Sequence, residues 1–265
     1  MRIGLLGFGY VGSQVFQRLQ SGAEPGLDVA FVHNRSADKL AGVPKELVLE
    51  DLAGMAARRP DLVIEMAHPR YTREWGEAIL GFAHYLPLSV TALADAPLHD
   101  RLVAQAKRSG RRIFVPHGAL PGLDSLVEWR HQWREVTITF IKNPASIDFS
   151  ESGYDVSRIR GETVVYDGPA RGIAKLYPRN VNTMVTCGLA TVGLDACRAR
   201  LIADPKIQVG VADVVALGRD GSRLHLRKEQ PMVGVSGSEL FESQYGSLLR
   251  AAGLPARAGE ALAFV

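Results

Sequence analysis

Short apolar runs alternate with helical patterns through residues 1–115. The runs 2–6, 28–32, 47–49, 62–65, 86–90 and 112–115 predict strands, with helices between them over 12–20, 52–57, 72–84 and 96–108. Such alternation predicts a parallel sheet wound on both faces by helices, with ligands bound outside the carboxyl ends of the strands. From Thr137 the pattern changes. The runs 136–141, 163–166, 199–203, 209–217 and 223–227 are not all separated by helices, as in a largely antiparallel sheet, and a helix over 182–190 covers it. Ser236-x-x-Glu239 reads as a capping box opening a final helix that Gly253 ends.

The first strand runs directly into Gly7-Phe8-Gly9-Tyr10-Val11-Gly12, a G-x-G-x-x-G followed by a helical pattern and a second strand. In that context Gly7 permits a tight turn, Gly9 admits a pyrophosphate close to the backbone, and Gly12 lets helix pack on strand. The helix N-terminus offers free N–H groups to the anion. The expected architecture is α/β: an N-terminal Rossmann dinucleotide-binding domain over 1–116 and a C-terminal α+β domain over 117–235 with a mixed or antiparallel sheet. The last helix, 236–253, is expected to return to the nucleotide domain.

A site selective for NAD carries an acid at the end of the second strand to hold the ribose 2′-hydroxyl. Here that strand ends in His33-Asn34-Arg35-Ser36, with no acid before Asp38. Asn34 and Ser36 can hydrogen-bond a 2′-phosphate, and Arg35 can pair with it or stack on adenine. This favours NADP, with NAD possible; a solvated loop arginine beside a permissive NAD site is the other reading.

Hydrophobic residues make up 46% of the 265 and charged residues 22%, the balance of an ordinary soluble protein. A net charge of +3 with no basic stripe argues against nucleic acid. The longest uncharged stretch, 78–94, contains His84 and Pro87 and divides into a helix end and a strand, so no membrane span is expected. With β-structure beginning at residue 2, no signal peptide is expected either. Cys187 and Cys197 lie in apolar segments without metal spacing, as buried thiols in a reducing cytoplasm would, and no metal site is expected.

Longer motifs resemble the L-aspartate dehydrogenase family, especially its animal-type, aspartate dehydrogenase domain-containing branch. They are Phe31-Val32-His33-Asn34-Arg35, Glu65-Met66-Ala67-His68-Pro69, Gly118-Ala119-Leu120-Pro121-Gly122 and Tyr166-Asp167-Gly168-Pro169. The most specific is Tyr177-Pro178-Arg179-Asn180-Val181-Asn182-Thr183. The resemblance spans nearly the whole chain. It implies reversible NAD(P)-dependent oxidative deamination of L-aspartate to oxaloacetate through iminosuccinate, in a homodimer. Bacterial members carry Asn-x-His, with a histidine regarded as catalytic, where this chain has Val209-Gly210-Val211-Ala212. No register supplies an imidazole there, which leaves open an imine or 2-oxo acid reductase, or a dinucleotide-binding sensor without chemistry.

The candidate catalytic residues are His117 and His68. His117 follows the strand run 112–115 and can exchange protons near neutrality. His68 follows the strand 62–65 and either contacts cofactor or opens a helix before Pro69. Candidate cofactor residues are Gly7, Phe8, Gly9, Tyr10, Val11, Gly12, Asn34, Arg35, Ser36, Ala67, His68 and Pro69. Candidate substrate residues are His117, Gly118, Ala119, Asn180, Asn182 and Thr183, the last three doubling as caps of a helix. Lys142 and Asn143 lie where the family has a cationic segment, and a surface role suits them equally. Trp129 and Trp133, four apart, form a stripe for core or dimer packing.

Overall fold

The computed structural model describes residues 1–22, 24–234 and 236–254. Its contacts divide the chain into two compact units. One comprises Met1–Ala92, Ala96–Pro116 and the chain from Phe241; the other comprises Leu93–Asp95 and His117–Leu240.

In the first unit, β1 (Arg2–Leu6), β2 (Asp28–His33), β3 (Leu62–Glu65) and β4 (His84–Pro87) form a parallel sheet in the order β2-β1-β3-β4. All four residues of β3 are buried, as expected of a central parallel strand covered on both faces. Helices α1 (Tyr10–Gln20), α2 (Pro69–Phe82) and α3 (Ala96–Ser109) provide the connections. Three of the expected elements take other forms. Residues 47–49 form no strand: Lys45–Leu47 is a 3-10 turn after Pro44, and Val48 makes one isolated bridge to Val32. Residues 52–57 lie in two 3-10 turns, Leu52–Gly54 and Ala56–Arg58, because Asp51 draws the N–H of Ala53 and Arg59 turns left-handed at φ +50° before Pro60. The run 112–115 adds only an isolated bridge between Ile113 and Tyr85. The fourth strand begins two residues earlier than expected, at His84, where it pairs with Leu62.

In the second unit, α4 (Leu123–Glu128) precedes β5 (Trp133–Lys142), and β6 (Thr163–Pro169) runs into α5 (Ala170–Leu176) and α6 (Asn182–Ala190). Strands β7 (Arg198–Ala203), β8 (Val209–Gly218), β9 (Arg223–Val233) and β10 (Ser236–Gly237) complete a mixed sheet in the order β10-β9-β8-β5-β7-β6. Only the β5–β7 pair is parallel. The fold is therefore the expected one, a parallel α/β sheet with a C-terminal mixed-sheet domain. Cys187 and Cys197 are both buried and free, with no disulfide between them. Among the described residues no helix is long and apolar enough to cross a membrane.

The expected capping box does not form. Ser236 pairs with Val233 in β10, and the last helix, α7 (Leu240–Ala251), starts four residues after it. Leu254 N donates to Leu249 O and Gly253 N to Arg250 O, with Gly253 at φ +74°, which closes α7 as a Schellman motif. Tyr245, Leu248 and Leu249 of α7 join Ile3, Val15, Phe16, Val29 and Ile64 in one core. The Arg18 guanidinium lies 4.9 Å from the Tyr245 ring centre and bonds Glu242 at 3.4 Å, so α7 docks beside α1. Leu248 is fully buried. Leu248→Ala is expected to cost about 2–5 kcal/mol of stability, read from chemical denaturation; a cost near zero would remove α7 from the core.

Candidate nucleotide and substrate sites

The glycine turn after β1 is built from backbone approach. Gly7 has φ +102°, and a Cβ there would lie 2.8 Å from the Ala67 Cβ. A Cβ on Gly12 would overlap the carbonyl oxygen of Gly7, so α1 can pack this closely only with glycine at that position. A Cβ on Gly9 would meet nothing within 4 Å, which leaves that backbone open to a ligand. Gly9 caps α1 without any side-chain hydrogen bond, and the N–H groups opening an α-helix have no intrahelical acceptor. Phe8 N donates to Asn34 Oδ1 at 3.1 Å and Asn34 Nδ2 to Ser36 O at 3.0 Å. The Asn34 amide therefore ties the glycine turn to the end of β2, whereas Arg35 and Ser36 stay exposed. An open backbone at a helix N-terminus fits a dinucleotide pyrophosphate.

Beyond β2 lies a pocket of about 470 Å³, lined in part by His33, Asn34, Arg35, Lys45, Leu49 and Glu50. Arg35 and Lys45 bring two cations to it. Lys45 was not legible as a site residue, since it lies outside the strand expected over 47–49 and stands in a 3-10 turn beside the pocket.

At the carboxyl end of β3, Glu65 is fully buried. Its carboxylate accepts from Ala67 N (2.7 Å), His68 N (2.7 Å), Ser89 N (3.0 Å) and Ser89 Oγ (3.0 Å). Burial pushes its pKa up, and the four donors oppose that shift. Glu65 thus ties the turn carrying Ala67 and His68 to the chain beyond β4. His68 caps α2, its Nδ1 accepting from Arg70 N at 3.2 Å, with Pro69 at the first helical position. In the neutral ring this leaves the proton on Nε2.

In the second unit the turn 117–119 is held from two sides. Gly118 and Ala119 both have left-handed backbone, at φ +59° and +58°. Thr183 Oγ1 donates to Gly118 O at 2.5 Å, and Lys228 Nζ donates to Ala119 O at 2.6 Å. His117, half-buried, accepts through its carbonyl from Leu120 N at 3.0 Å. These bonds bring together His117, Gly118, Ala119 and Thr183. Asn182 begins α6 beside Thr183. Asn180 is committed elsewhere: its Oδ1 accepts from Asp148 N (2.8 Å) and its Nδ2 donates to Ser146 O (3.0 Å), so it staples the loop after β5.

Lys228 also bonds Glu239 Oε1 at 2.6 Å. Close to this pair lies Lys142, which is 6% exposed, so that of the two roles open to it in the sequence the surface one does not apply. Burial pushes its amine down from 10.5 to about 8; Lys228 adds to the shift and Glu239 opposes it. Across the strands Gly210 pairs with Gln230 and Ala212 with Lys228. A Cβ on Gly210 would overlap Met232 Sδ and lie 3.2 Å from Gln230 Nε2, so β9 side chains fill the space over that glycine. Lys228 and Glu239 carried no sequence signal for this role, one lying on a mostly polar strand and the other in an apparent helix cap. Among the described residues no group of three or more His, Cys, Asp or Glu could hold a metal ion.

Comparison with known proteins agrees with this division. Residues 127–233 match the family model for the C-terminal domain of aspartate dehydrogenase, and residues 7–116 match that for the NAD-binding domain of homoserine dehydrogenase. The nucleotide unit is accordingly an NAD(P)-binding domain. An aspartate dehydrogenase domain-containing protein of Xenopus tropicalis is 36% identical, over 96% of this chain and 95% of its own length. An L-aspartate dehydrogenase of Serratia proteamaculans is 32% identical over 77% of this chain and 78% of its own length. Among solved structures, aspartate dehydrogenase from Thermotoga maritima superposes with a TM-score of 0.76 at 24% identity, covering 100% of this chain and 99% of its own, which is a likeness of fold.

The buried Lys142 amine makes stability depend on pH. Its folded pKa of about 8 lies below the unfolded value of 10.5, so between them the unfolded chain binds more protons and stability rises with pH. Below about pH 8 the amine is charged in both states and its burial penalty is constant. Wild type is therefore expected to gain on Lys142→Met from pH 8 to 10, by at most about 1.4 kcal/mol per pH unit. Denaturation midpoints across that range measure it, and parallel curves would show that folding does not lower the pKa of the amine.

Proposed function

This chain belongs to the aspartate dehydrogenase family, and on that premise we propose that it is an NAD(P)-dependent dehydrogenase acting on an amino acid or the corresponding imine. The observation that carries the reading is the open glycine turn and helix N-terminus, found in one chain with the clamped turn that bears His117. The cofactor supplies the hydride acceptor or donor. The N–H groups of Gly9, Tyr10, Val11 and Gly12 hold the pyrophosphate. Arg35 and Ser36, with Lys45, take the 2′-phosphate, which makes NADP the preferred form, and Asn34 shapes the turn. Ala67, His68 and Pro69, held by Glu65, line the carboxyl edge where the nicotinamide is received.

In the second unit His117 exchanges the proton that amine oxidation and imine hydration require. Gly118, Ala119, Asn182 and Thr183 offer backbone and side-chain donors to the substrate carboxylate, and Asn180 acts through the loop it staples. With glycine and alanine at 210 and 212, β8 contributes no proton-exchanging side chain at those positions. Reduction of a preformed imine should therefore survive better than deamination. Trp129, 48% exposed and 5.8 Å from the Trp133 ring, supports self-association as a homodimer.

A charge-assisted hydrogen bond to a phosphate contributes about 1.5–3 kcal/mol. NADPH is thus expected to bind wild type more tightly than NADH, and Arg35→Ala to lose roughly tenfold or more for NADPH with little change for NADH. Fluorescence titration with both cofactors checks this; equal NADPH affinity in the two proteins would remove Arg35 from the site.

The reaction is tested by absorbance of NADPH with amino acids, and with oxo acids plus ammonia or preformed imines. Imine reduction should exceed L-aspartate oxidation, and His117→Ala should lower turnover about a hundredfold with cofactor affinity nearly unchanged. Tight cofactor binding without reaction on any imine or oxo acid would favour a sensor.

A further inference from the structure

Ala119 is the unusual residue of the turn that carries His117. It has φ +58°, directly after Gly118 at +59°. A left-handed conformation costs glycine little, but any residue with a Cβ meets its own carbonyl there. Such a conformation persists only where its surroundings over-determine it.

Thr183 holds the Gly118 carbonyl, and at Ala119 itself the carbonyl is held by an ammonium group. Lys228 Nζ donates to Ala119 O at 2.6 Å and to Glu239 Oε1 at 2.6 Å. Both side chains are partly shielded, at 24% and 33% exposure, and the bond to the carbonyl is charge-assisted. The local sequence is arranged to admit the pair. Ala212, small, lies on β8 directly opposite Lys228 on β9. The β9–β10 hairpin, closed by Ser238 N to Pro231 O at 3.0 Å, presents Glu239 to Lys228. Gly237 gives it room, because a Cβ there would lie 2.5 Å from Glu239 Oε2. Lys142 is the third charged group of the cluster.

We propose that Lys228, anchored by Glu239, is the positioning residue of the turn 117–119: by holding the Ala119 carbonyl it keeps Gly118 and Ala119 left-handed and so sets the direction of the His117 imidazole. Lys228 does not itself exchange the proton. The inference rests on the reading of His117 given above, yet it is tested without substrate.

The measurement is ¹⁵N NMR of the full chain without ligand, following the His117 ring signals and amide exchange at 118–120. In Lys228→Met the ring signals should move toward those of a mobile histidine, and exchange at these amides should quicken about tenfold or more, with the melting midpoint of the whole protein little changed. Lys228→Arg should restore the wild-type signature. Glycine needs no clamp in this conformation, so adding Ala119→Gly to Lys228→Met should recover much of it. Should Lys228→Met fail to fold, Glu239→Gln, which keeps the packing and loosens the anchor, should shift the same signals in the same direction. Unchanged His117 signals in either variant would overturn the proposal, as would a loss that neither arginine nor glycine recovers. Full turnover in His117→Ala would sink the catalytic reading while leaving this result standing, so the two can fail separately.

Discussion

The contact on which the nucleotide unit depends is between two backbones, where α1 crosses the carbonyl of Gly7 at a distance that leaves no room for a Cβ on Gly12. That approach seats α1 against β1, so the helix begins at the carboxyl edge of the sheet, with its unpaired N–H groups and the positive end of its dipole. Gly7 N in turn donates to His33 O at 2.8 Å and Phe8 N to Asn34, so the same turn sets the end of β2. Cofactor recognition is in this sense a consequence of packing: the site exists because a helix has been brought too close for any other residue.

On the far side of β1 the edge is organised by charge instead. Glu65 collects three backbone N–H groups and one hydroxyl from two separate segments. A carboxylate buried at the end of an apolar strand is costly unless its lone pairs are filled, and here the filling is what shapes the turn before α2. His68 inherits its place from that turn.

The second unit uses a related economy on one face of its mixed sheet. Small residues on β8 leave room for long ones on β9, and the long side chains reach past them to hold a strained turn elsewhere in the unit. The partly shielded charge of Lys228, beside Lys142 and Glu239, serves to fix backbone geometry that the turn would not adopt unaided.

Periodicity and the glycine spacing by themselves determined the two-part architecture, the parallel sheet and the nucleotide turn, because these rest on local geometry: a strand, a tight turn and a helix within a few residues. The mixed sheet and α6 were legible for the same reason. Only the tertiary structure decided what polar residues near the sites do. Asn34 and Asn180 read as ligand donors, and in the fold each amide also accepts from one backbone N–H and donates to one backbone carbonyl. Glu239 read as a helix cap and is instead paired with Lys228. Lys142 read equally well as a surface residue and is buried. The decisive partners lie on other segments, 11 residues away for Glu239, 26 for Asn34 Oδ1 and 32 for Asn180 Oδ1. A side chain with several donors and acceptors takes whichever partners the fold delivers, and no local pattern encodes that choice. The strain at Ala119 was invisible for a similar reason, since alanine carries no sequence mark of a left-handed backbone and only the clamp around it makes that conformation stable.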